Sequence, residues 1–488
     1  MKHLFIISYA LLGLGHQLFA DATYEKCVVN IQVTYQSWNQ YEPWKKATPR
    51  TRSIAGVVID NNQILTTAYY LVDATSIRAL KLGQPKHYPA QLIHSDPQLN
   101  LAIVAVEDPA FYSDLEPTKL AERSINSGTA LTTKWDEGVL EKAECRFIRA
   151  EVNKSTTGYF DTLEIKMKTD MTGGGWAKPV FHDNSLIGMT AFQNNKDVAS
   201  IIPAELINAY LEIFETKPYP GFPSLGLSYQ FNRDPALSNY LGQEDEQKGI
   251  IVRQCYPGAS AYGQLQPMDI ILQLDGHSID ANGNYEHPYY GRLDFRYIAL
   301  EGHTTEDSIE AIVLRNKKTE KVTIALEYFS PSEPLIPWSE PNKTPYYFIA
   351  AGLVFQEFRT DFLRAWGDKW KSRIPQHLRI KQDLNKLNQT ESQKKLIMLT
   401  YVFPDNSNIG YQDLKFLLVD KINHQHIDSM TDVNQAFSQP LDSYHEITFH
   451  PNQVRADIIL DATTTEETTK RILQKYNIPQ SMRLPGEG

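Results

Sequence analysis

From Cys27 to Val198 the chain is a succession of short runs rich in β-branched and aromatic residues, cut by turn residues. Cys27 to Tyr35 alternates apolar and polar side chains, the period of a strand with one buried face. Ile54 to Ile59, Ile64 to Val72, Ile77 to Leu82 and Leu101 to Val106 follow, with Asp60-Asn61-Asn62 and Asp96-Pro97 as punctuation. Many short strands without intervening helices are expected to form an all-β barrel or sandwich. Pro203 then opens a helical pattern, with Leu206, Ile207, Tyr210, Leu211 and Phe214 on one side.

The chain has 488 residues, a length suited to three domains. Apolar content of 42% and charged content of 22% are those of a globular protein. A net charge of -10 argues against a broad electrostatic footprint for nucleic acid. Lys217-Pro218-Tyr219-Pro220-Gly221-Phe222-Pro223 reads as a domain boundary, and a proline-rich linker is expected from Ser330 to Pro345. Between them, Ile250-Ile251-Val252, Pro257-Gly258 and Ile270 to Leu274 read as strand, turn, strand. Phe362, Trp366 and Trp370 recur at helix spacing and predict core packing. Thr463 with Glu466, or Thr464 with Glu467, predicts a capping box before a final helix that ends near Pro479.

Residues 1–22 have the form of an export signal: Lys2 and His3, an apolar run from Leu4 to Leu14, and the small-x-small site Ala20-Asp21-Ala22. The expectation is cleavage near Ala22 and a periplasmic or secreted mature chain without a transmembrane segment. An uncleaved anchor or a buried first strand is the alternative. Cys27, Cys145 and Cys255 allow one internal bridge at most, and their spacing indicates none. The Cys/His spacing of a zinc site is absent, and no cofactor is expected.

Three segments then line up with one family. Gly56-Val57-Val58-Ile59-Asp60 with Ile64-Leu65-Thr66-Thr67-Ala68-Tyr69, Asp96-Pro97-Gln98-Leu99-Asn100-Leu101-Ala102-Ile103, and Gly174-Gly175-Trp176-Ala177-Lys178-Pro179-Val180 with Leu186-Ile187-Gly188-Met189 resemble, in order and spacing, the triad-bearing segments of the Deg/HtrA trypsin-like proteases. The resemblance implies a double β-barrel over residues 23–215. It also implies that Tyr69, Asn100 and Trp176 stand where histidine, aspartate and serine belong. A phenol titrating near ~10 is no base at neutral pH. Asparagine cannot stabilise a histidinium, and an indole has no nucleophilic oxygen. Thr172 is the nearest hydroxyl and lacks the glycine-flanked context.

The resemblance continues beyond the barrels. Gly221 to Leu227 and Leu265 to Gly276 resemble the first PDZ domain of plant-type Deg proteases, expected over residues 216–330. Tyr346 to Phe355 and Ile472 to Pro479 resemble the second, expected over 346–488 after a linker at 331–345. The implied fold is mostly β with some α: a trypsin-like double β-barrel followed by two α+β PDZ domains. A PDZ domain adds an extended peptide to a sheet edge and captures its terminal carboxylate on backbone N–H groups. The implied peptide-binding residues are Ser224, Leu225, Gly226, Leu227, Ser228 and Tyr229. The second PDZ-like region, with an insert around Leu384 to Lys395, is expected to serve packing or oligomerisation.

The function implied is a pseudoprotease that binds peptides or unfolded segments, as a homo-oligomer or co-assembled with an active relative. A divergent endopeptidase of protein quality control and a structural oligomer with self-occupied grooves are the alternatives. The endopeptidase would need a histidine near the barrel cleft; His87, His94 and His182 are those that fall in this domain beyond the signal, and none sits at a triad position.

Overall fold

The computed structural model describes residues 24–81, 83–136, 139–155, 159–171, 177–193, 197–243, 247–340, 342–367, 369–385, 394–451 and 457–486. The expected export signal, Thr172 and Trp176 lie outside the described residues.

After a single helical turn, α1 (Tyr24–Cys27), six strands close the first barrel: β1 (Val28–Tyr35), β2 (Arg50–Ile59), β3 (Gln63–Thr66), β4 (Ala74–Leu80), β5 (Tyr88–Asp96) and β6 (Leu101–Val106). The order is β1-β2-β3-β6-β5-β4, with β4 returning to β1. The alternation read in β1 puts Val29, Ile31 and Val33 wholly inside. Gly56 of β2 faces that interior at close range: a Cβ there would lie 2.5 Å from Ile64 and 2.6 Å from Ile31.

The second barrel uses β7 (Lys119–Leu120), β8 (Thr129–Asp136), β9 (Val139–Lys154), β10 (Asp161–Thr169), β11 (Pro179–His182), β12 (Ser185–Gln193) and β13 (Val198–Pro203). Six of these form the ring β8-β9-β10-β13-β12-β11, closed by pairing of β11 with β8. The short β7 joins β12 in parallel. Pro203 caps α2 (Ala204–Ile213), which buries Leu206, Ile207 and Tyr210 as its periodicity predicts.

The third unit contains β14 (Leu227–Phe231), α3 (Pro235–Leu241), β15 (Ile250–Cys255), β16 (Ile270–Leu274), β17 (His277–Ser278), β18 (Asn284–His287), β19 (Gly291–Asp294), β20 (Ser308–Arg315) and β21 (Lys318–Ala325). Its main sheet runs β14-β15-β16-β20-β21, so β14 is an edge strand.

The fourth unit contains β22 (Tyr347–Ala350), β23 (Leu353–Glu357), α4 (Thr360–Arg364), α5 (Trp370–Arg373), α6 (Gln376–Ile380), β24 (Ile397–Val402), β25 (Leu417–Ile422), β26 (Gln425–His426), α7 (Met430–Phe437), β27 (Tyr444–Phe449), β28 (Ile458–Asp461), α8 (Thr465–Lys475) and β29 (Met482–Arg483). Its order, β23-β24-β25-β27-β28, repeats that of the third unit, with one difference. Here β22 already pairs along the outer edge of β23, and β29 pairs with β22.

One apolar core runs without interruption from Val28 through both barrels to Leu326 of the third unit. Separate clusters fill the fourth. Three local expectations need correction. Phe362, Trp366 and Trp370 do pack together with Phe416, but not on one helix, because Gly367 at φ +88° breaks the chain between α4 and α5. No capping box precedes α8: the hydroxyls of Thr463, Thr464 and Thr465 donate back to Asp461. The proline-rich segment after Ser330 is not a free tether, since Leu335 and Ile336 are buried and Lys395 Nζ donates to the carbonyls of Ser332, Glu333 and Pro334.

Candidate functional site

The first barrel brings Tyr69 and Asn100 together. The turn after β5 places Asn100 at φ 60°, a left-handed conformation that asparagine tolerates better than most residues. Its Oδ1 accepts the Tyr69 N–H at 2.8 Å, and its carbonyl accepts the Ala68 N–H at 3.1 Å. Both residues line a cavity of about 190 Å³, which Ser339 and Arg364 close from the far end of the chain.

No histidine lines that cavity among the described residues. His94 Nδ1 lies 2.9 Å from the Tyr210 hydroxyl and its ring packs on Tyr219. Burial pushes the pKa of this imidazole down. His182 Nδ1 meets the Thr129 carbonyl at 2.9 Å, and His87 is exposed. A neighbouring cavity of about 430 Å³ between the barrels is lined by Arg52, Tyr70, Lys134, Trp135 and Lys178. Lys178 is 4% exposed and donates to Gln193 Oε1 at 2.7 Å. Burial, with Lys134 nearby, lowers its ammonium to about 8. The three cysteines are free, and burial raises their thiols to about 11 or 12, so none is a ready thiolate.

Ser224, Leu225, Gly226, Leu227, Ser228 and Tyr229 come together along one wall of a larger cavity, about 610 Å³. The carbonyls in this segment are turned toward residues 256–261. Ser260 Oγ donates to Ser224 O at 2.8 Å, Ala261 N to Leu225 O at 3.0 Å, and Tyr256 N to Gly226 O at 2.9 Å. A trans peptide holds its N–H opposite its C=O. The N–H groups of Leu225, Gly226 and Leu227 therefore point away from that turn in succession. Among the described residues, no acceptor takes the N–H of Leu225 or Gly226. Successive N–H groups around a left-handed residue form a concavity suited to an anion. Gly226 is that residue, at φ +58°, and an added Cβ would sit 2.1 Å from Ala259 Cβ.

From this loop β14 continues with its outer edge unpaired by any strand among the described residues, as strand addition requires. The opposite walls come from the rest of the molecule. Lys154, Tyr159 and Asp161 belong to the second barrel, Trp338 to the proline-rich segment, and Arg364, Trp370 and Lys371 to the fourth unit. Arg296 fixes the arrangement, donating to Asp294 at 2.8 and 2.9 Å and to Asp161 at 2.6 Å. These two carboxylates keep its guanidinium protonated despite burial.

A family model described as a PDZ domain matches residues 336–483. Protease Do-like 4, mitochondrial, of Arabidopsis thaliana is 25% identical over 462 residues, 93% of this chain and 84% of that protein. Protease Do-like 2, chloroplastic, of the same plant is 24% identical over 467 residues, 94% of this chain and 75% of that protein. The chain is thus similar over nearly its whole length to Do-like proteases and carries a PDZ match in its last third. Among solved Deg/HtrA structures, an HtrA-type protease AlgW with decapeptide is 17% identical, at a TM-score of 0.46, over 63% of this chain and 97% of that one.

The PDZ match falls on the fourth unit, where β22 already covers the outer edge of β23. The open edge is that of the third unit. Sequence reading missed Lys154, Asp161, Arg296, Trp338, Trp370 and Lys371 as groove residues, since each reaches the cavity only through contacts distant in the chain. The tryptophan at 338 inside a supposed linker was the one usable signal: a large aromatic in a proline-rich tether needs a packing partner.

Proposed function

We propose that this protein is a non-catalytic peptide binder of protein quality control. In this reading the region from Gly221 to Tyr328 is a PDZ domain that takes the free carboxyl end of a peptide or unfolded segment. The observation that carries it is the run of N–H groups at Leu225, Gly226 and Leu227 beside an open strand edge. The strand order shared with the matched PDZ region supports it. The barrels serve as scaffold. Their cavity holds a tyrosine and an asparagine in place of base and orienter, and His94 and His182 are engaged elsewhere. Export to the periplasm or beyond, assembly with copies of itself or with an active relative, and an inert Trp176 are parts of the same proposal.

Two measurements test it on the full chain. Unfolded casein should remain uncleaved, and a fluorophosphonate probe should leave the protein unlabelled. Stoichiometric labelling lost in Thr172→Ala would instead establish a divergent endopeptidase. Calorimetry should show free-acid peptides binding better than their amidated forms, and equal binding would remove carboxylate capture.

A further inference from the structure

Resting on that reading of the groove, we infer that its ligands are acidic: chain ends with a glutamate or aspartate among the few residues before the terminal carboxylate. The protein as a whole carries a net charge of -10 and would repel such peptides. The groove is the local exception. Lys154, Arg296, Arg364 and Lys371 line it, against the single lining carboxylate of Asp161. Asp161 is already engaged, at 2.7 Å from Lys154 and 2.6 Å from Arg296, and Asp294 takes the other side of Arg296.

Lys371 is different. It is exposed on α5, and its ammonium lies 5.6 Å from the centre of the Trp370 ring. Among the described residues it forms no ion pair. The terminal carboxylate of a ligand would meet uncharged N–H groups at Leu225 to Leu227, so Lys371 is left for its side chains. A peptide running along β14 from that loop passes between the wall of Tyr229 and Arg296 and the wall of α4 and α5. An acidic side chain there gains the field of Lys371, whereas a basic one meets like charge. Such complementarity sets specificity more than raw affinity.

The test is fluorescence anisotropy on the full chain with one apolar-ended, free-acid peptide. Glutamate is placed in turn at the second, third and fourth positions from the end, each with a glutamine counterpart. At one position or more, glutamate should bind about two- to fivefold tighter, the range for an exposed ion pair. The gap should shrink at high salt. Lys371→Gln should narrow it and Lys371→Glu should invert it, with thermal melting unchanged because the side chain is exposed. Equal binding of every glutamate and glutamine pair would overturn the acidic preference and leave carboxylate capture standing. A preference that survives Lys371→Glu unchanged would overturn the role of this wall. Failure of every free-acid peptide to bind would overturn both readings.

Discussion

The side-chain oxygen of Asn100 accepts the backbone N–H of Tyr69 at 2.8 Å. The two positions expected to carry an acid and a base thus lie together, and neither side chain is a carboxylate or an imidazole. This makes restoration a sharp test. Tyr69→His, Asn100→Asp and Trp176→Ser together should leave casein turnover at least ~10²-fold below that of an active trypsin-like protease. Lys178 is buried beside the nucleophile segment, and one misplaced oxyanion donor alone costs ~10²–10³. Turnover at an ordinary level would show that the backbone was competent throughout.

Gly226 should not tolerate a side chain. Its φ of +58° and the 2.1 Å approach of an added Cβ to Ala259 act together. Gly226→Ala should cost roughly 2–4 kcal/mol by urea unfolding and abolish peptide binding. Gly263→Ala is the control: φ is +76° but nothing lies within 4 Å of the added Cβ, so it should cost only about 1 kcal/mol. Equal costs would mean that the Ala259 contact relaxes freely.

Asp96 should make stability depend on pH. It is wholly buried, and burial raises its carboxyl to about 6, against the hydrogen bonds from Tyr219, Leu99 and Gln98 that favour its charge. A native pKa above the unfolded one means that the native state holds the proton more tightly. The contribution is complete below about pH 4 and is lost as pH rises through about 6, roughly 3 kcal/mol in all. In Asp96→Asn this component disappears. The variant should therefore gain stability relative to the parent between pH 4 and pH 7. A constant difference across that window, in urea unfolding at each pH, would refute the assignment.

The thiols should be slow. Cys27 and Cys145 are buried with thiols raised to about 11 and about 12, and partly exposed Cys255 is raised to about 11. At pH 8 an aromatic disulfide reagent should label Cys255 first and slowly, with all three reacting only after unfolding. Rapid labelling of Cys27 or Cys145 in the native protein would contradict the packing of the barrels.

What the sequence disclosed was what is local. The strand runs of the first barrel and the helix after Pro203 depend on residues close in the chain, and the loop from Ser224 to Tyr229 rests on a short motif resemblance. The pairing of Tyr69 with Asn100 is distant but was reachable because two motifs fix it. Arg296, Lys371 and Trp370 gave no such hint: charged and aromatic side chains on short helices read alike whether they face solvent or a cavity. The period of Phe362, Trp366 and Trp370 foretold their shared core but not Gly367, whose left-handed backbone ends the helix between them. The threonines before α8 failed as caps because Asp461, one turn earlier, offers acceptors to all three hydroxyls.

The uninterrupted core from Val28 to Leu326 has a practical meaning. Tyr289 donates to the Ser124 carbonyl, Tyr290 to Glu205, and Arg296 to Asp161, so the third unit is bolted to the second barrel by side chains it would carry away unsatisfied. A fragment cut near residue 216 would expose that face and lose one wall of its own groove. The groove here is not a portable cassette. Its walls stay together only while the barrels stand behind it, so on the proposed reading the barrels earn their place by holding a groove in shape.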